Sequence, residues 1–230
     1  MNVEVLSIGG SLIFRNGKVR VDYIRKLKKL IDSYSDRKFV IVVGGGSIAR
    51  VYINALEKFR LSDEFKGHIG IAITRVNARM VANIFGKHAN ANNLPKSIKD
   101  IRGLLLKHKI VICGALRYEK DVTTDSTAAK IALGLKAEFI NVTNVKGLYS
   151  RDPRKYAFAK FISHINYDDF SRIASKMNYR PGQHFVLDQH AAKIIRDHKI
   201  PTYILGSSLG NLKKFLDGYN FVGTRISQDL

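Results

Sequence analysis

Two glycine clusters are the first residues of this sequence whose type and position indicate a chemical role. The first covers residues 9–10 and follows the apolar run at 3–8, whereas the second covers residues 44–46 and follows the apolar run at 39–43. Because glycine has no side chain, backbone N–H groups in such loops can approach phosphate oxygens closely. A helix with Ser47 as its N-cap is expected next, and its positive end points at the same place. The clusters therefore predict a phosphate-binding site.

Side chains that could assist such a site occur at two places. Arg50 lies one helical turn after the second cluster, where its guanidinium either binds phosphate or pairs with a surface carboxylate. Thr123, Thr124 and Asp125 stand directly before an alanine-rich helical pattern, where they either cap the helix or hold a phosphate. Both alternatives remain open at each place.

A third feature is the loop at 143–153, which reads T-N-V-K-G-L-Y-S-R-D-P and leaves the apolar run at 138–142. A loop of this composition is more specific than a mere connection requires. The sequence contains no G-x-x-x-x-G-K-[ST], which excludes a Walker-type loop, and no clear G-x-G-x-x-G, which disfavours a dinucleotide-binding fold. Phosphate binding therefore has to use another arrangement of glycines.

Apolar runs typical of buried strands alternate with helical patterns along the chain. The runs occupy residues 3–8, 39–43, 109–113, 138–142 and 202–205. Helical spacing occurs at 24–31 and 48–59, and further helices are expected to begin near Thr74, Asp125, Asp188 and Ser208. This alternation predicts an α/β fold with a mainly parallel sheet. Residues 86–99 and 176–183 are expected to form loops.

Length and composition indicate one globular domain with a basic surface. The 230 residues are 45% hydrophobic, which suffices for one substantial core, and the formal net charge is +20. This charge is spread along the chain and is expected to attract nucleotides, whereas nucleic acid is a less favoured partner. No run of about 18 apolar residues occurs, so we expect a cytoplasmic protein without a membrane segment. The single cysteine, Cys113, lies in an apolar run and is expected to be buried.

Taken together, the motifs resemble those of a known family. They read V-L-S-I-G-G-S, V-V-G-G-G-S-I-A-R, I-A-I-T-R-V-N-A, T-T-D-S-T-A-A, T-N-V-K-G-L-Y-S-R-D-P and L-D-Q-H-A-A-K-I-I. In this order, and over essentially the whole chain, they resemble the archaeal branch of uridylate (UMP) kinases in the amino acid kinase superfamily. The resemblance implies a three-layer α/β/α sandwich. It also implies a single domain at 1–230, with an acceptor-binding lobe at about 1–135 and an ATP-binding lobe at about 136–230.

The resemblance further implies transfer of the ATP γ-phosphate to UMP by a homo-oligomer, commonly a hexamer. Mg²⁺ would be held mainly through the ATP phosphates, without a metal site made by protein side chains. The implied catalytic residues are Arg50 and Asp125, the latter ordering cationic groups or Mg²⁺-bound water near the transferred phosphate. The implied ATP-binding residues are Gly10, Ser11, Gly46, Arg50, Thr143, Asn144, Tyr149 and Asp152. The implied UMP-binding residues are Gly45, Gly67, Thr123 and Thr124.

Three places depart from the family pattern. Ser7 stands on the first strand where many amino acid kinases carry a lysine. Residues 66–68 read Lys-Gly-His where an aspartate usually holds the acceptor ribose, and His68 either binds a ribose hydroxyl or is exposed without a role. The usual glycine-proline loop before T-T-D is replaced by a longer, charged segment at 115–122. The second and third changes both lie on the acceptor side.

Two alternatives to UMP phosphorylation are left open. One is a different acceptor in the same fold, such as isopentenyl phosphate or an amino acid carboxylate. Isopentenyl phosphate kinases use a histidine near the second glycine loop, and residues 44–50 contain none. The other is a non-catalytic nucleotide- or RNA-binding regulator, favoured by the net charge of +20, whose RNA affinity should fall steeply with salt. Acceptor kinetics distinguish these hypotheses.

Overall fold

The computed structural model describes residues 2–119, 123–153, 156–176 and 186–228. Its strands are β1 Asn2–Ile8, β2 Phe14–Arg15, β3 Lys18–Val19, β4 Arg37–Val43, β5 Ile110–Cys113, β6 Glu138–Thr143, β7 Leu148–Tyr149, β8 Phe161–Ile162, β9 His164–Ile165, β10 Thr202–Gly206 and β11 Gly223–Ile226. Its helices are α1 Gly10–Ile13, α2 Val21–Asp32, α3 Gly46–Lys58, α4 Asp63–Phe85, α5 Ile98–Lys107, α6 Thr124–Leu135, α7 Tyr167–Lys176, α8 Gln189–His198 and α9 Leu209–Leu216, with a 3₁₀ turn at Gly86–His88.

Seven strands form one central sheet in the order β5-β4-β1-β6-β10-β11-β9. The first five are parallel, whereas β11 runs antiparallel to β10 and parallel to β9. The pairs β2–β3 and β7–β8 form two small antiparallel sheets. The expected α/β fold with a mainly parallel sheet is therefore confirmed, and the five expected strands agree with the observed ones to within two residues at each end.

Helices cover both faces of the sheet because successive side chains of a strand point to opposite sides. Val5 and Val40 point to the face covered by α5, α6, α7 and α8. Leu6 and Ile41 point to the face covered by α1, α2, α4 and α9. The strands are thus apolar on both faces, as a parallel sheet between two helix layers requires. Cys113 is buried in the first of these cores, as expected.

The observed helix starts match the sequence-based ones except at two places. The helix expected near Thr74 begins instead at Asp63, because the Ser62 side chain accepts a hydrogen bond from the backbone of the first turn and caps it there. The second exception, the start of α3, is described with the site below. The expected starts near three other residues are confirmed by caps or first turns at Asp125, Asp188 and Ser208.

Helices α1, α5 and α7 and the short strands were not expected from the sequence. The segment at 86–97 is mostly irregular, as expected, but α5 begins at Ile98 after the Ser97 cap. Most of the second expected loop, at 176–183, lies outside the described residues.

In the described part of the chain, no helix is both long and apolar enough to cross a membrane. The division into an acceptor lobe and an ATP lobe stays a prediction.

Candidate active site

The two glycine loops meet at the carboxyl edge of the parallel sheet. Because β1 and β4 are hydrogen-bonded neighbours, the loops that follow them start side by side. They touch through backbone atoms: a Cβ on Gly10 would lie 2.5 Å from Gly46 Cα and closer still to the Gly46 nitrogen. A Cβ on Gly46 would lie 2.6 Å from the Gly10 oxygen, and the φ of +66° at Gly46 also favours glycine. This edge is where open α/β sheets bind ligands.

Helix α3 begins directly inside the second glycine loop. The prediction that Ser47 is its N-cap is wrong, because the loop turns into the helix earlier and Gly45 takes the cap position. No side chain in the described part of the chain caps the helix, so N–H groups of its first turn can bind an anion. The Ser47 hydroxyl is buried and has no hydrogen-bond partner among the described residues. Arg50 lies exposed on the same first part of the helix.

Asn77 anchors this loop, although it was not assigned to the site from the sequence. Its side chain is 2% exposed, and Nδ2 donates to the Gly44 oxygen at 3.0 Å and the Gly45 oxygen at 3.1 Å. Both amide donors are thereby used on neighbouring carbonyls, which holds the loop in one conformation. The signal available in the sequence was the asparagine inside the I-A-I-T-R-V-N-A motif, on a helix face that is otherwise largely apolar.

Asp125 lies next to the strand that leads into the first glycine loop. Ser7 of β1 donates its hydroxyl hydrogen to Asp125 Oδ1 at 2.7 Å. Burial and the nearby carboxylate of Asp188 raise the pKa of Asp125 to about 7, and the Ser7 hydrogen bond opposes this shift. A carboxyl group that titrates near neutral pH is typical of functional sites. Ser7, which stands where many family members carry lysine, therefore holds a titrating carboxyl group.

Asp188 was also missed as a site residue, and it joins the starts of two helices. It caps α8 by accepting from the Ala191 N–H at 2.9 Å. It also accepts from the Thr123 hydroxyl at 2.5 Å and from the Ser126 hydroxyl at 2.7 Å, both at the start of α6. Thr123 in turn accepts from the Asp125 N–H at 3.1 Å. The capping alternative for Thr123 is thus realised, and Asp188 positions the turn that carries Asp125.

The loop at 143–153 begins beside the first glycine loop. Thr143 ends β6, which neighbours β1, and the Gly9 N–H donates to the Val142 oxygen at 3.0 Å. Further along, the Leu148 N–H donates to Thr224 Oγ1 at 2.7 Å, which holds the loop against β11. The Tyr149 ring contacts a neighbouring aromatic ring of β8 edge-on, at 5.4 Å between centroids. The start of this loop therefore lies at the site, and its remainder flanks it.

The acceptor side, as defined by the family resemblance, is formed by α4 and the segment after β5. Thr74 lies next to the second glycine loop, since a Cβ on Gly45 would be 3.7 Å from its methyl group. Its hydroxyl accepts from the Ala115 N–H at 3.0 Å. The guanidinium of Arg75 donates to the Ala115 oxygen at 3.2 Å and to the Leu116 oxygen. Hydrogen bonds with Thr74 and Arg75 therefore hold the segment after β5 against α4.

The structure brings most of the predicted site residues to one edge of the sheet. Those at the carboxyl edge of β1, β4 and β6, or at the helix starts beside it, are Gly10, Ser11, Gly45, Gly46, Arg50, Thr123, Thr124, Asp125, Thr143 and Asn144. Those on flanking segments are Gly67, Tyr149 and Asp152. Within the described ranges, no group of three or more His, Cys, Asp or Glu side chains is placed to hold a metal ion.

This arrangement is an α/β domain with two glycine loops in contact at the carboxyl edge of its sheet, and comparison with known proteins identifies its class. The family model of the amino acid kinase family matches residues 2–206. The chain therefore belongs to the amino acid kinase family.

Within that family, the chain is similar to archaeal uridylate kinases, which confirms the resemblance noted from the motifs. It is 35% identical over 225 residues to the uridylate kinase of Archaeoglobus fulgidus, covering 97% of this chain and 99% of that protein. It is 37% identical over 207 residues to the uridylate kinase of Thermococcus kodakarensis, covering 88% of this chain and 89% of that protein. The crystal structure of the A. fulgidus enzyme superimposes with a TM-score of 0.85 and covers 99% of this chain and 100% of that one.

Proposed function

We propose that this protein is a uridylate kinase that transfers the γ-phosphate of ATP to UMP, giving UDP and ADP for pyrimidine nucleotide biosynthesis. The observation that carries the proposal is the backbone contact between the two glycine loops, with the Ser7–Asp125 pair beside it. Similarity to uridylate kinases over nearly the whole chain supports the choice of UMP as acceptor. Because ATP and UMP are cytoplasmic metabolites, we propose that the protein works in the cytoplasm.

In this proposal the phosphates lie between the glycine loops. ATP binds the backbone and side chains of Gly10, Ser11, Gly46, Arg50, Thr143, Asn144, Tyr149 and Asp152, and UMP binds near Gly45, Gly67, Thr123 and Thr124. Because the Thr123 hydroxyl hydrogen is already donated to Asp188, we assign direct contact with the UMP phosphate to Thr124 and a positioning role to Thr123. Arg50 neutralises phosphate charge from the first part of α3.

The chemistry required of the protein is mainly positioning and charge neutralisation. The acceptor oxygen of UMP is already an anionic phosphate oxygen, so no strong general base is needed. Mg²⁺ carried by the ATP phosphates supplies positive charge for the transferred group. The carboxyl groups of Asp125 and Asp188 fit a site for such a cation, because Asp125 lies within the field of Asp188 and, among the described residues, no lysine or arginine is hydrogen-bonded to either. Asp125 orders the cationic groups around that phosphate.

The test is an ADP-release assay with Mg-ATP and a panel of UMP, CMP, dUMP, isopentenyl phosphate and glutamate. We expect turnover with UMP, with a kcat of about 1–100 s⁻¹ that is usual for kinases. Turnover with isopentenyl phosphate or glutamate in place of UMP would contradict the assigned acceptor. A protein that binds ATP but turns over none of the five compounds would instead be a regulator, whose RNA affinity and salt dependence would then be measured.

We further propose that the protein forms a homo-oligomer through an exposed apolar face of α3, a hexamer by family resemblance. Val51 and Tyr52 lie on α3 and Phe59 directly follows its last residue, and these side chains are 67%, 52% and 76% exposed. Leu61 and Phe65 continue this exposed face beyond the helix. Contiguous exposed apolar side chains of this kind mark interaction surfaces. A second copy of the chain is the simplest occupant, because a symmetric contact uses the same face twice.

Charge placed in this face is expected to reduce the oligomer to a smaller species. Phe59→Asp introduces a carboxylate that loses its hydration when the face is covered, which costs a few kcal/mol per subunit. Size-exclusion chromatography with light scattering measures the change in mass. Leu106→Asp is the matched control, since Leu106 is 84% exposed on α5 and lies outside this face. An unchanged mass for Phe59→Asp would place the interface elsewhere or show a monomeric wild-type protein.

A further inference from the structure

On the acceptor side, the Tyr118 ring lies directly against Gly67. Gly67 lies near the start of α4, and a Cβ at this position would be 2.8 Å from Tyr118 Cδ2 and closer still to Cε2. The Tyr118 ring also stacks on the neighbouring His68, with 4.7 Å between ring centroids and 30° between ring planes. The tyrosine ring therefore fills the volume that a side chain at position 67 would need.

The segment that carries Tyr118 packs against α4 and is hydrogen-bonded to it. Gly114 packs against the backbone of Thr74, where a Cβ would lie 2.6 Å from the Thr74 carbonyl carbon. Arg75 then binds the two carbonyls that follow, as described above. Glu119, directly after Tyr118, forms an ion pair with Lys130 of α6. These contacts hold the backbone on both sides of Tyr118, and the stacking on His68 places its ring beside Gly67.

The two departures from the family pattern on the acceptor side are thus one coupled change. An aspartate at position 67 cannot coexist with Tyr118 in its present place, since its Cβ alone would overlap the ring. Conversely, Tyr118 belongs to the longer segment at 115–122, so a chain without this segment would have no tyrosine ring beside position 67. Where the family resemblance implies an aspartate carboxylate, this chain has a stacked pair of Tyr118 and His68.

The pair lies where an acceptor bound by the second glycine loop would extend. Thr74 is next to Gly45, and α4 runs from Thr74 back to Gly67 over seven residues, about 10 Å. This span matches the reach of a nucleotide from its phosphate to its sugar and base. His68 offers two ring nitrogens for hydrogen bonding, of which Nε2 lies 3.8 Å from Glu64 Oε1, and the Tyr118 ring offers an apolar face.

We propose that Tyr118 and His68 are the specificity-determining residues for the acceptor's nucleoside, with His68 hydrogen-bonding a sugar hydroxyl and the Tyr118 ring forming the wall beside it. This assignment rests on the proposed function, because it takes a nucleoside monophosphate as the acceptor. A hydrogen bond to a carboxylate is strengthened by its full negative charge, which an imidazole ring does not carry. The protein therefore discriminates UMP from dUMP less strongly than an enzyme with aspartate at this place.

Five variants test the assignment by their kcat/KM for UMP and dUMP. His68→Ala is expected to lower kcat/KM for UMP about 5- to 10-fold, the value of one hydrogen bond, and to change that for dUMP by about twofold at most. Tyr118→Ala is expected to raise the KM for UMP about 10-fold while the KM for ATP stays unchanged, whereas Tyr118→Phe keeps the ring and the wild-type KM. Thermal melting confirms that each variant is folded.

The remaining two variants test the coupling between positions 67 and 118. Gly67→Asp alone is expected to displace the ring and raise the KM for UMP. Gly67→Asp combined with Tyr118→Ala makes room for the carboxylate, so the preference for UMP over dUMP should return and exceed that of the wild type. Additive effects of the two substitutions would contradict the coupling.

The outcomes separate this inference from the proposed function. If the wild type phosphorylates UMP but His68→Ala and Tyr118→Ala leave both the KM and the UMP-to-dUMP ratio unchanged, the inference is overturned and the function stands. If the wild type does not phosphorylate UMP, the proposed function fails. Equilibrium binding of UMP and dUMP to the same variants then decides the assignment, and unchanged affinities overturn it.

Discussion

Gly10→Ala is expected to lower kcat/KM for the proposed reaction about 100-fold or more, because the two glycine loops can no longer hold their mutual position. The added methyl group would lie 2.5 Å from Gly46 Cα and 3.0 Å from the Gly44 carbonyl carbon. All of these atoms belong to the backbone, so no side chain can move aside. Forcing the loops apart should also cost about 3 kcal/mol of folding stability. Steady-state kinetics and urea unfolding measure the two effects.

Gly103→Ala is the matched control for this substitution. Gly103 lies inside α5, and a Cβ there would have no described atom within 4 Å beyond the nearby backbone of its own helix. Because alanine favours a helix interior over glycine, this variant should gain about 0.5–1 kcal/mol of stability and keep wild-type activity. If Gly10→Ala kept full activity as well, backbone contact between the loops could not be a requirement of phosphate binding.

Asp125→Asn is expected to lower kcat about 100-fold, since it removes the negative charge that orders the cationic groups around the transferred phosphate. The amide has nearly the same shape as the carboxyl group, so the cap of α6 by Thr123 remains. Single-turnover and steady-state assays with Mg-ATP and UMP measure the loss. A variant with unchanged turnover would remove Asp125 from the catalytic residues.

The same substitution is expected to stabilise the protein above neutral pH. The pKa of Asp125 is about 7 in the folded protein, compared with an ordinary value of 3.8, so the folded state binds this proton more tightly than the unfolded state. Stability from this group is therefore highest at low pH and falls as pH rises from about 4 to about 7, where the buried carboxyl becomes charged. The Tm of Asp125→Asn should exceed that of the wild type at pH ~8 and approach it at pH ~5.

Ser7→Ala provides the control for this titration, because it keeps Asp125 and removes only the hydrogen bond that stabilises its charged form. The pKa of Asp125 should then rise further. If the carboxylate is the active form, the acid limb of the pH profile of kcat lies near pH 7 in the wild type and moves to higher pH in Ser7→Ala. A limb that stays in place would assign the profile to another group.

Patterns along the chain predicted the sheet and the two glycine loops, to which we assign phosphate binding. Strands between two helix layers are apolar on both faces, so β4 and most of β1 and β6 read as apolar runs that can be recognised locally. The glycine clusters after β1 and β4 can also be recognised locally, because the lack of a side chain is a property of the residue itself. Helix caps are less certain, as Ser47 shows, since the Gly46 backbone starts the helix one residue before it.

Contacts between distant residues could not be predicted in this way. The Ser7–Asp125 hydrogen bond joins residues 118 positions apart, and the contacts of Asp188 with Thr123 and Ser126 join segments more than 60 positions apart. The role of Asn77 depends on where two carbonyls of another loop lie. No local pattern encodes such distances, so these residues were missed or had open alternatives.

The sequence by itself therefore determined the class of fold, the burial of Cys113 and the two glycine loops, because each depends on residue type and short-range periodicity. Only the tertiary structure decided that the loops touch through their backbones, that Ser7 and Asp188 control Asp125, and that Tyr118 takes the space at Gly67. The physical reason is that these features depend on close packing between separate segments, which is set when the sheet and its helices assemble.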